Sequence, residues 1–591
     1  MYMNYQDLDV LNSVFQEGYT NQRSLSAHCG HSLGTVNSAL KHLADAGYLN
    51  TCNQPTEKAA ALRQASAPKS AVILAAGFGM RMVPINTLLP KALLQVHGQP
   101  LIERIICQLQ EAGIRDIRVV VGFMKEHFEY LIDAYGVKLV VNPDYACKNN
   151  LHSLKLVLDS LANTYIIPCD IWCRENPFRS QEFYSWYMVT DRMTRESSVR
   201  INRKRELCNI APTESGNAMV GIAYLTEQDA AAVQKNAKAL CADSRFDDAF
   251  WEETLFGKTP IPVSARVIPD SSAVEINTYE QLRTLDSDSD HLQSDAIHAI
   301  TEALQAQSDQ ITDITVLKKG MTNRSFLFRC KGKKYIMRIP GEGTDQLIDR
   351  TQEAAVYRAI HGKRICDDVV YMDPGSGYKI TEFLEGARVC DPYAPADISA
   401  CMKRLRQFHE MKLQVPHTFD IFGQIDFYES LWNGAPSCYR DYRATKANVL
   451  SLRSYIDSMD KDWCLTHIDA VPDNFLFTQQ PEDLRLIDWE YAGMQDPHVD
   501  IAMFCIYAMY DPEHIEQLID AYFPEGCDRA VRTKIYCYIS ACGLLWSNWC
   551  EYKRQLGVEF GEYSLRQYRF AKDYYKIAAA RIGQGGSLCT M

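Results

Sequence analysis

The chain has 591 residues, which is too long for one hydrophobic core and predicts three or four domains at about 150 residues each. Its formal net charge of -12 argues against a protein whose main partner is nucleic acid or an anionic membrane surface. The 20 cysteines show no metal-ligand spacing, and neither a secretory leader nor a membrane-spanning apolar stretch is visible, so we expect reduced thiols and a cytoplasmic location.

Residues 1–65 have the pattern of a winged helix-turn-helix domain. Apolar side chains recur at helical spacing over residues 6–17, a second short helix is predicted over 22–28, and a third begins at Ser32 and stops at Gly47. The stretch resembles the winged-helix regulators of the MarR type, whose recognition helix commonly begins Ser-x-x-Thr-Val. The segment has four basic and five acidic residues, so it offers little positive charge to neutralise DNA phosphates. We therefore expect a role in domain packing or dimerisation, with DNA the less favoured partner.

Residues 70–287 open with an apolar strand and a loop of small residues. Ala76, Gly77 and Gly79 let backbone N–H groups approach a nucleoside triphosphate closely. Arg81 follows the loop, and Lys91 stands in Leu-Pro-Lys shortly after it. This order resembles the sugar-phosphate and phosphocholine nucleotidyltransferases, a Rossmann-like αβα family. The resemblance implies that Arg81 and Lys91 neutralise phosphate charge as pyrophosphate departs.

Two residues of the same segment are candidate metal ligands. Asp170 ends a central strand, at the edge where open α/β sheets bind ligands. Residues 275–278 resemble the Glu-Ile-Asp-Thr of phosphocholine cytidylyltransferases, with Asn277 in place of the Asp, and an amide oxygen is still a usable ligand for a hard cation. Three aromatic residues are candidates for binding a quaternary ammonium group or are ordinary core: Trp172, Tyr224 and Trp251.

Residues 295–591 contain the pattern that phosphoryl transfer from ATP requires. An H-x-D-x-x-x-x-N loop presents Asp469 and Asn474, and an apolar strand then ends at Asp488. Asp469 would act as the base, with Asn474 and Asp488 as Mg²⁺ ligands. The pattern resembles the choline kinase and aminoglycoside phosphotransferase family, in which Asp-(Trp/Phe)-Glu replaces the Asp-Phe-Gly of protein kinases. Glu490 completes that triplet and is assigned to the substrate side of the site.

Further residues of this segment match the same family. Asn323 ends a Gly-Met-Thr-Asn loop that resembles the family's nucleotide loop, and Arg338 stands where the family places a phosphate-binding cation paired with Glu353. Trp546 and Trp549 lie three residues apart and share one helix face. In choline kinases a matching pair forms part of the aromatic cage around the trimethylammonium group, whereas a buried hydrophobic stripe is the plainer interpretation.

The sequence therefore predicts a multidomain α/β and α+β chain, with a winged helix-turn-helix, a Rossmann-like nucleotidyltransferase and a bilobal protein-kinase-like phosphotransferase. With Mg²⁺, ATP and CTP it would convert choline to phosphocholine and then to CDP-choline, for phosphocholine decoration of cell-surface glycans. One alternative is a kinase of another amino alcohol or sugar fused to a sugar-1-phosphate nucleotidyltransferase, and another is a ligand-responsive transcription regulator. Several alternatives stay open at this point: choline or ethanolamine as the kinase substrate, CTP or another triphosphate for the nucleotidyltransferase, channelling between the two sites, and the oligomeric state.

Overall fold

The computed structural model describes residues 3–77, 82, 89–257, 260–317, 323–341, 347–479, 483–556, 558 and 560–586. Tertiary contacts divide the chain into two units, Met1–His298 and Ala299–Met591, with the boundary inside the helix Asp295–Leu304. Among the described residues, no helix is long and apolar enough to cross a bilayer.

The first unit begins with the predicted winged helix-turn-helix. Asn4 caps the first helix by accepting a hydrogen bond from the Asp7 N–H at 2.9 Å, while the Asp7 carboxylate accepts one from the Asn4 N–H. Gly30 ends the second helix in the left-handed region, at φ 68°, where glycine is unstrained. The helices are Tyr5–Glu17, Gln22–Cys29, Leu33–Asp45 and Glu57–Ala65, and a bridge between Leu49 and Pro55 closes the wing.

The first helix of this domain packs directly on the nucleotidyltransferase domain. Asp9 accepts a hydrogen bond from the Tyr184 hydroxyl at 2.7 Å and lies 2.9 Å from the His31 ring nitrogen. The rings of Phe15 and Phe183 stack with their centroids 6.2 Å apart. The winged helix is therefore attached by a polar and an aromatic contact, which is the packing role that its acidic composition favours.

A seven-stranded mixed sheet forms the centre of the nucleotidyltransferase domain. Four neighbouring strands are parallel, and every residue of the first, Ser70–Ala75, is buried because helices cover both faces. In spatial order the strands are Ser264–Ile268, Trp186–Thr194, Gly216–Leu225, Thr164–Pro168, Ser70–Ala75, Asp116–Val121 and Lys138–Val141. The α-helices are Leu101–Glu111, Tyr130–Tyr135, Asn150–Lys155, Glu227–Leu240 and Tyr279–Leu285. Short strand pairs join Gln95–Val96 to Gln99–Pro100, Ile171–Cys173 to Ala273–Glu275, and Val199–Ile201 to Leu207–Asn209.

Gly122 lets two loops meet at the carboxyl edge of this sheet. A Cβ atom there would lie 2.8 Å from the Ala76 carbonyl oxygen and 2.6 Å from Cβ of Tyr145. Only glycine therefore allows the small-residue loop and the next strand exit to come together. Further along, Asp286 is buried and accepts a hydrogen bond from the His97 N–H at 2.6 Å, which connects the stretch 286–290 to the nucleotidyltransferase domain.

The second unit has the predicted bilobal architecture. Its first lobe is a five-stranded antiparallel sheet with one helix, Arg350–Ile360. Ser325, Arg338 and Lys379 are paired across three neighbouring strands, so their side chains share one face of this sheet. In spatial order the strands are Ile311–Val316, Asn323–Cys330, Lys333–Pro340, Lys379–Glu382 and Val369–Met372.

The second lobe is helical around a long central helix, Arg529–Gln555. This helix is buried from Thr533 to Lys553, and Gly543 lets it cross the last helix closely, since a Cβ there would lie 2.8 Å from the Gln567 carbonyl oxygen. The other helices are Pro395–Glu410, Ile421–Ser430, Tyr442–Ser451, Arg453–Ser458, His498–Tyr507, Pro512–Tyr522 and Glu562–Gly586. Two small sheets carry the loops, one of Arg388–Val389, Phe475–Phe477 and Leu484–Leu486 and one of Cys464–Thr466 and Gly493–Gln495.

Candidate active sites

In the first unit, the structure brings Lys91, Asp170 and Asn277 together at the carboxyl edge of the sheet. The Lys91 ammonium donates hydrogen bonds to the Asp170 carboxylate and, at 2.6 Å, to Oδ1 of Asn277. The Ile276 N–H donates to the Asp170 carbonyl oxygen at 3.0 Å, which fixes the two segments side by side. One cation thus already spans the predicted ligand pair, so these two oxygen donors are close enough to hold a metal ion between them.

A cavity beside these residues carries the predicted nucleotide loop. Ala76 and Gly77 line it, whereas Gly79 and Arg81 lie outside the described residues. On the opposite wall, Asn149 caps the helix Asn150–Lys155. Many of the residues that line the cavity are small, and two lysines, Lys91 and Lys148, are among them, which suits a triphosphate.

The three candidate aromatic residues of this unit do not present open ring faces to that cavity. Trp172 is not among the residues that line the cavity, and the Arg104 guanidinium lies 5.3 Å from its ring centroid. Tyr224 is fully buried, and its hydroxyl donates to the Ser66 carbonyl oxygen at 2.6 Å. Trp251 is 1% exposed and packs on Tyr187. These placements give Tyr224 and Trp251 packing roles, and we leave both out of the site proposed below.

Glu252, next to Trp251, is a residue that the sequence did not single out. One carboxylate oxygen accepts a hydrogen bond from the Tyr187 hydroxyl at 2.9 Å, and the other is buried without a hydrogen-bond partner among the described residues. Burial raises the pKa of Glu252 to about 7. Nothing in the local sequence Trp-Glu-Glu distinguishes this carboxylate from a solvated acid.

In the second unit, the loop of Asp469 is held by polar contacts from both sides. Asn474 donates from its amide to the Asp469 carbonyl oxygen at 2.9 Å and to its carboxylate at 3.1 Å. Asp500 accepts hydrogen bonds from the N–H groups of His467 and Ile468 at 3.0 and 2.7 Å. Ile468 has a φ of 70°, a strained value for a β-branched residue that these bonds stabilise. Asp500 therefore anchors the loop that presents Asp469.

Carboxylates crowd this site and change its electrostatics. Burial, together with the charges of Asp488 and Glu490, raises the pKa of Asp469 to about 8. Burial also raises the pKa of Asp488, although the nearby cations Lys379 and Arg338 oppose the shift. Asp488 has a φ of 66°, another strained position at the point where the strand enters the site. The site is therefore short of positive charge, and a divalent cation fits it.

Arg338 and Glu353 form the predicted ion pair in the first lobe. The Arg338 guanidinium donates two hydrogen bonds to the Glu353 carboxylate, one of them at 2.9 Å. Burial alone would raise the pKa of Glu353, but the bonds from Arg338 and the charge of Lys379 lower it to about 2. Glu490, assigned from sequence to substrate, lines the cavity and accepts hydrogen bonds from Asn323 at 2.8 Å and Arg350 at 3.3 Å. Glu490 thus connects the nucleotide loop to the ion pair.

Lys379 lines the same cavity and was not recognised in the sequence. It lies across from Arg338 in the sheet, donates to the Tyr357 hydroxyl at 2.6 Å, and lies 3.9 Å from Glu353. Strand alternation could have placed it on the cavity face, but only if the pairing of Lys379–Glu382 with Lys333–Pro340 had been known.

Aromatic rings form the far wall of the cavity. Trp546 and Trp549 both line it, yet they are only 6% and 1% exposed, so most of each ring is packed. The Trp546 ring meets Tyr491 edge-on with centroids 5.4 Å apart. Five aromatic residues line the cavity: Tyr491, Tyr507, Trp546, Trp549 and Tyr563. The same cavity is also lined by Asn323, Arg338, Asp469, Asn474 and Asp488.

No group of three His, Cys, Asp or Glu side chains is arranged as a metal cage within the described ranges. Mg²⁺ in phosphate-transfer sites is held by one or two protein carboxylates and the substrate phosphates. The donor sets of both sites, each with a carboxylate and an amide oxygen, match that mode of binding.

Three protein families match successive parts of the chain. Residues 3–50 match the winged helix-turn-helix DNA-binding family, 71–177 the MobA-like NTP transferase domain, and 314–521 the choline/ethanolamine kinase family. The three matched ranges correspond, in order, to the winged helix, the domain that contains Lys91 and the unit that contains Asp469.

The curated relatives cover separate halves of the chain. The choline-phosphate cytidylyltransferase of Streptococcus pneumoniae is 34% identical over 220 residues, covering 36% of this chain and 96% of that protein. The 2-aminoethylphosphonate cytidylyltransferase of Lancefieldella rimae is 29% identical over 225 residues, covering 37% and 92%. Protein LicA of Haemophilus influenzae is 27% identical over 265 residues, covering 42% and 96%. The chain therefore belongs to the choline-phosphate cytidylyltransferase family and joins that enzyme domain to a winged helix and a choline kinase-like domain.

Proposed function

We propose that this chain makes CDP-choline in two consecutive reactions. The kinase-like unit transfers the γ-phosphate of ATP to choline, and the cytidylyltransferase domain couples the resulting phosphocholine to CTP. The observation that supports the proposal is the presence of two groups of candidate reacting residues on one chain, one around Asp469 and one around Lys91. The product of the first reaction has the chemistry that the second consumes. We place both reactions in the cytoplasm, where the triphosphates are made.

In the kinase reaction, Asp469 accepts the proton of the choline hydroxyl as its oxygen attacks the γ-phosphorus of ATP and ADP leaves. The raised pKa of Asp469 suits a proton acceptor working near neutral pH. Asn474 holds that carboxylate in position, and Arg338, oriented by Glu353, supplies positive charge to the phosphates. The hydroxyl end of the substrate thus lies at Asp469 and its ammonium end at the aromatic wall.

In the cytidylyl transfer, a phosphate oxygen of phosphocholine attacks the α-phosphorus of CTP, and pyrophosphate leaves. The backbone of Ala76 and Gly77 lines the triphosphate cavity, and the Lys91 ammonium neutralises negative charge as it develops.

Mg²⁺ would be held by Asp170 and Asn277 in the first unit and by Asn474 and Asp488 in the second. When bound, it would neutralise charge on the nucleotide phosphates.

One relative favours a second candidate acceptor for the cytidylyltransferase domain. The similarity to a 2-aminoethylphosphonate cytidylyltransferase extends over 92% of that protein, so an aminoalkyl phosphonate is a competing substrate class. The tryptophans line the kinase cavity, which favours an amino alcohol over a sugar there. Decoration of surface glycans with phosphocholine and regulation of transcription through the winged helix remain predictions.

The proposal is tested by incubating the purified chain with choline, ATP, CTP and Mg²⁺ and following the products by mass spectrometry. We expect phosphocholine first and CDP-choline afterwards. Replacing choline and ATP by phosphocholine or by 2-aminoethylphosphonate, each with CTP, separates the two acceptor classes. Formation of neither phosphocholine nor CDP-choline would overturn the proposal.

A further inference from the structure

Asp473 differs from the other carboxylates that line the kinase cavity. Asp469 is bonded to Asn474, Asp488 lies at the end of its strand, and Glu490 is tied to Asn323 and Arg350. A fourth, Asp367, lies two residues before the strand Val369–Met372, and its charge adds to burial in raising the pKa of the Tyr357 hydroxyl. Asp473 differs in that it accepts a hydrogen bond from an aromatic side chain, Tyr507, that lines the same cavity.

The contacts of Asp473 connect it to the aromatic wall. It lies in the short turn Pro472–Asn474, is exposed, and accepts a hydrogen bond from the Tyr507 hydroxyl at 2.7 Å. The Tyr507 ring meets Tyr563 edge-on at 6.0 Å. Both tyrosines line the cavity together with Asp473, so a negative charge stands at the rim of the aromatic wall.

Aromatic walls alone discriminate poorly between a cation and an uncharged group of the same shape. A trimethylammonium group donates no hydrogen bonds, so a protein recognises its charge through ring faces and through a nearby anion. Trp546 and Trp549 provide apolar surface that would also accept a tert-butyl group. Asp469 cannot serve as a permanent anion, because it takes up a proton during each turnover.

We propose that Asp473 is the residue that selects a positively charged substrate in the kinase site, by placing a permanent negative charge beside the quaternary ammonium group. The inference rests on the proposed kinase function. The Tyr507 hydroxyl fixes the carboxylate toward the cavity, so Tyr507 acts as a positioning residue. In the sequence, Asp473 reads as an ordinary turn former inside the catalytic loop.

Substitution of Asp473 by Asn removes the charge but leaves an amide oxygen that can accept the Tyr507 hydrogen bond. The test measures the KM of choline and the inhibition constant of its uncharged isostere, 3,3-dimethylbutan-1-ol, against choline. For Asp473→Asn we expect the KM of choline to rise about tenfold or more, as loss of one charge contact at short range implies, while the inhibition constant changes less than about twofold. Asp473→Glu, which keeps the charge, should recover most of the choline affinity.

Asp309→Asn is the matched control, because Asp309 is also an exposed aspartate in a three-residue turn, Ser308–Gln310, and does not line the cavity. It should leave both constants unchanged. Equal weakening of choline and the uncharged alcohol, equal losses in the Asn and Glu variants, or an unchanged KM for choline in Asp473→Asn would each overturn the inference. Absence of choline phosphorylation by the wild-type chain would instead overturn the proposed function on which it depends.

Discussion

The two candidate catalytic sites of this chain differ in the partner of their carboxylate, which is a lysine in the first site and a neutral amide in the second. In the cytidylyltransferase site, Lys91 already bonds to both candidate metal ligands, Asp170 and Asn277. In the kinase site, the Asp469 carboxylate accepts a hydrogen bond from the neutral Asn474, and burial together with neighbouring carboxylates raises its pKa to about 8. In the proposed mechanism, the first arrangement would provide a cation for departing pyrophosphate, and the second would provide a base with a high affinity for a proton.

Removing the cation from the first site should have the largest effect. In Lys91→Met we expect kcat for cytidylyl transfer to fall by about 10²–10³-fold, because no other described side chain bridges the two ligands and transition-state charge loses its counterion. Choline phosphorylation, measured on the same protein, should stay within about twofold. Lys235→Met, at an exposed lysine of the helix Glu227–Leu240, serves as the control. A loss below about fivefold would remove Lys91 from the mechanism.

The kinase site should show a pH dependence that the first site lacks. Because the pKa of Asp469 is raised to about 8, its carboxyl group is protonated below that pH and cannot accept a proton. We expect kcat/KM for choline to rise about tenfold per pH unit from pH 6 and to level off above pH 8, because the pH dependence of kcat/KM reports the pKa values of the free enzyme. Cytidylyl transfer from supplied phosphocholine is the internal reference. A flat kinase profile between pH 6 and 8 would contradict the assignment of Asp469 as base.

Restoring the family's carboxylate at position 277 should have the smallest effect. In Asn277→Asp a second charged oxygen replaces an amide oxygen opposite Lys91, which strengthens binding of a hard cation. We expect the Mg²⁺ concentration for half-maximal cytidylyl transfer to fall severalfold, with the Mg²⁺ dependence of the kinase reaction unchanged. A higher Mg²⁺ requirement would mean that Asn277 serves the lysine rather than the metal.

Residues fixed by local order were the easiest to place from sequence. Asp469, Asn474 and Asp488 belong to one loop and the strand after it, so their spacing nearly determines that they meet. Lys91, Asp170 and Asn277 are far apart in sequence, yet each follows a strand or loop that ends at the same edge of the sheet, as open α/β folds require.

Residues whose environment depends on distant packing were beyond such reasoning. Glu490 resembles a substrate ligand in its triplet. Its carboxylate also accepts hydrogen bonds from Asn323 and Arg350, which are more than a hundred positions away in the sequence. Tyr224 is aromatic like a cage residue, yet it lies in the core with its hydroxyl bonded to a carbonyl oxygen. Lys379 could be recognised as a residue of the site only from the strand pairing, which places it opposite Arg338.

The most direct test of the two-site account supplies Asp469→Asn and Lys91→Met proteins, separately and mixed, with either choline, ATP and CTP or phosphocholine and CTP. We predict that Asp469→Asn forms CDP-choline only from phosphocholine, that Lys91→Met stops at phosphocholine, and that the mixture converts choline to CDP-choline. Loss of both reactions in either single variant, or a mixture that forms no CDP-choline from choline, would contradict the account.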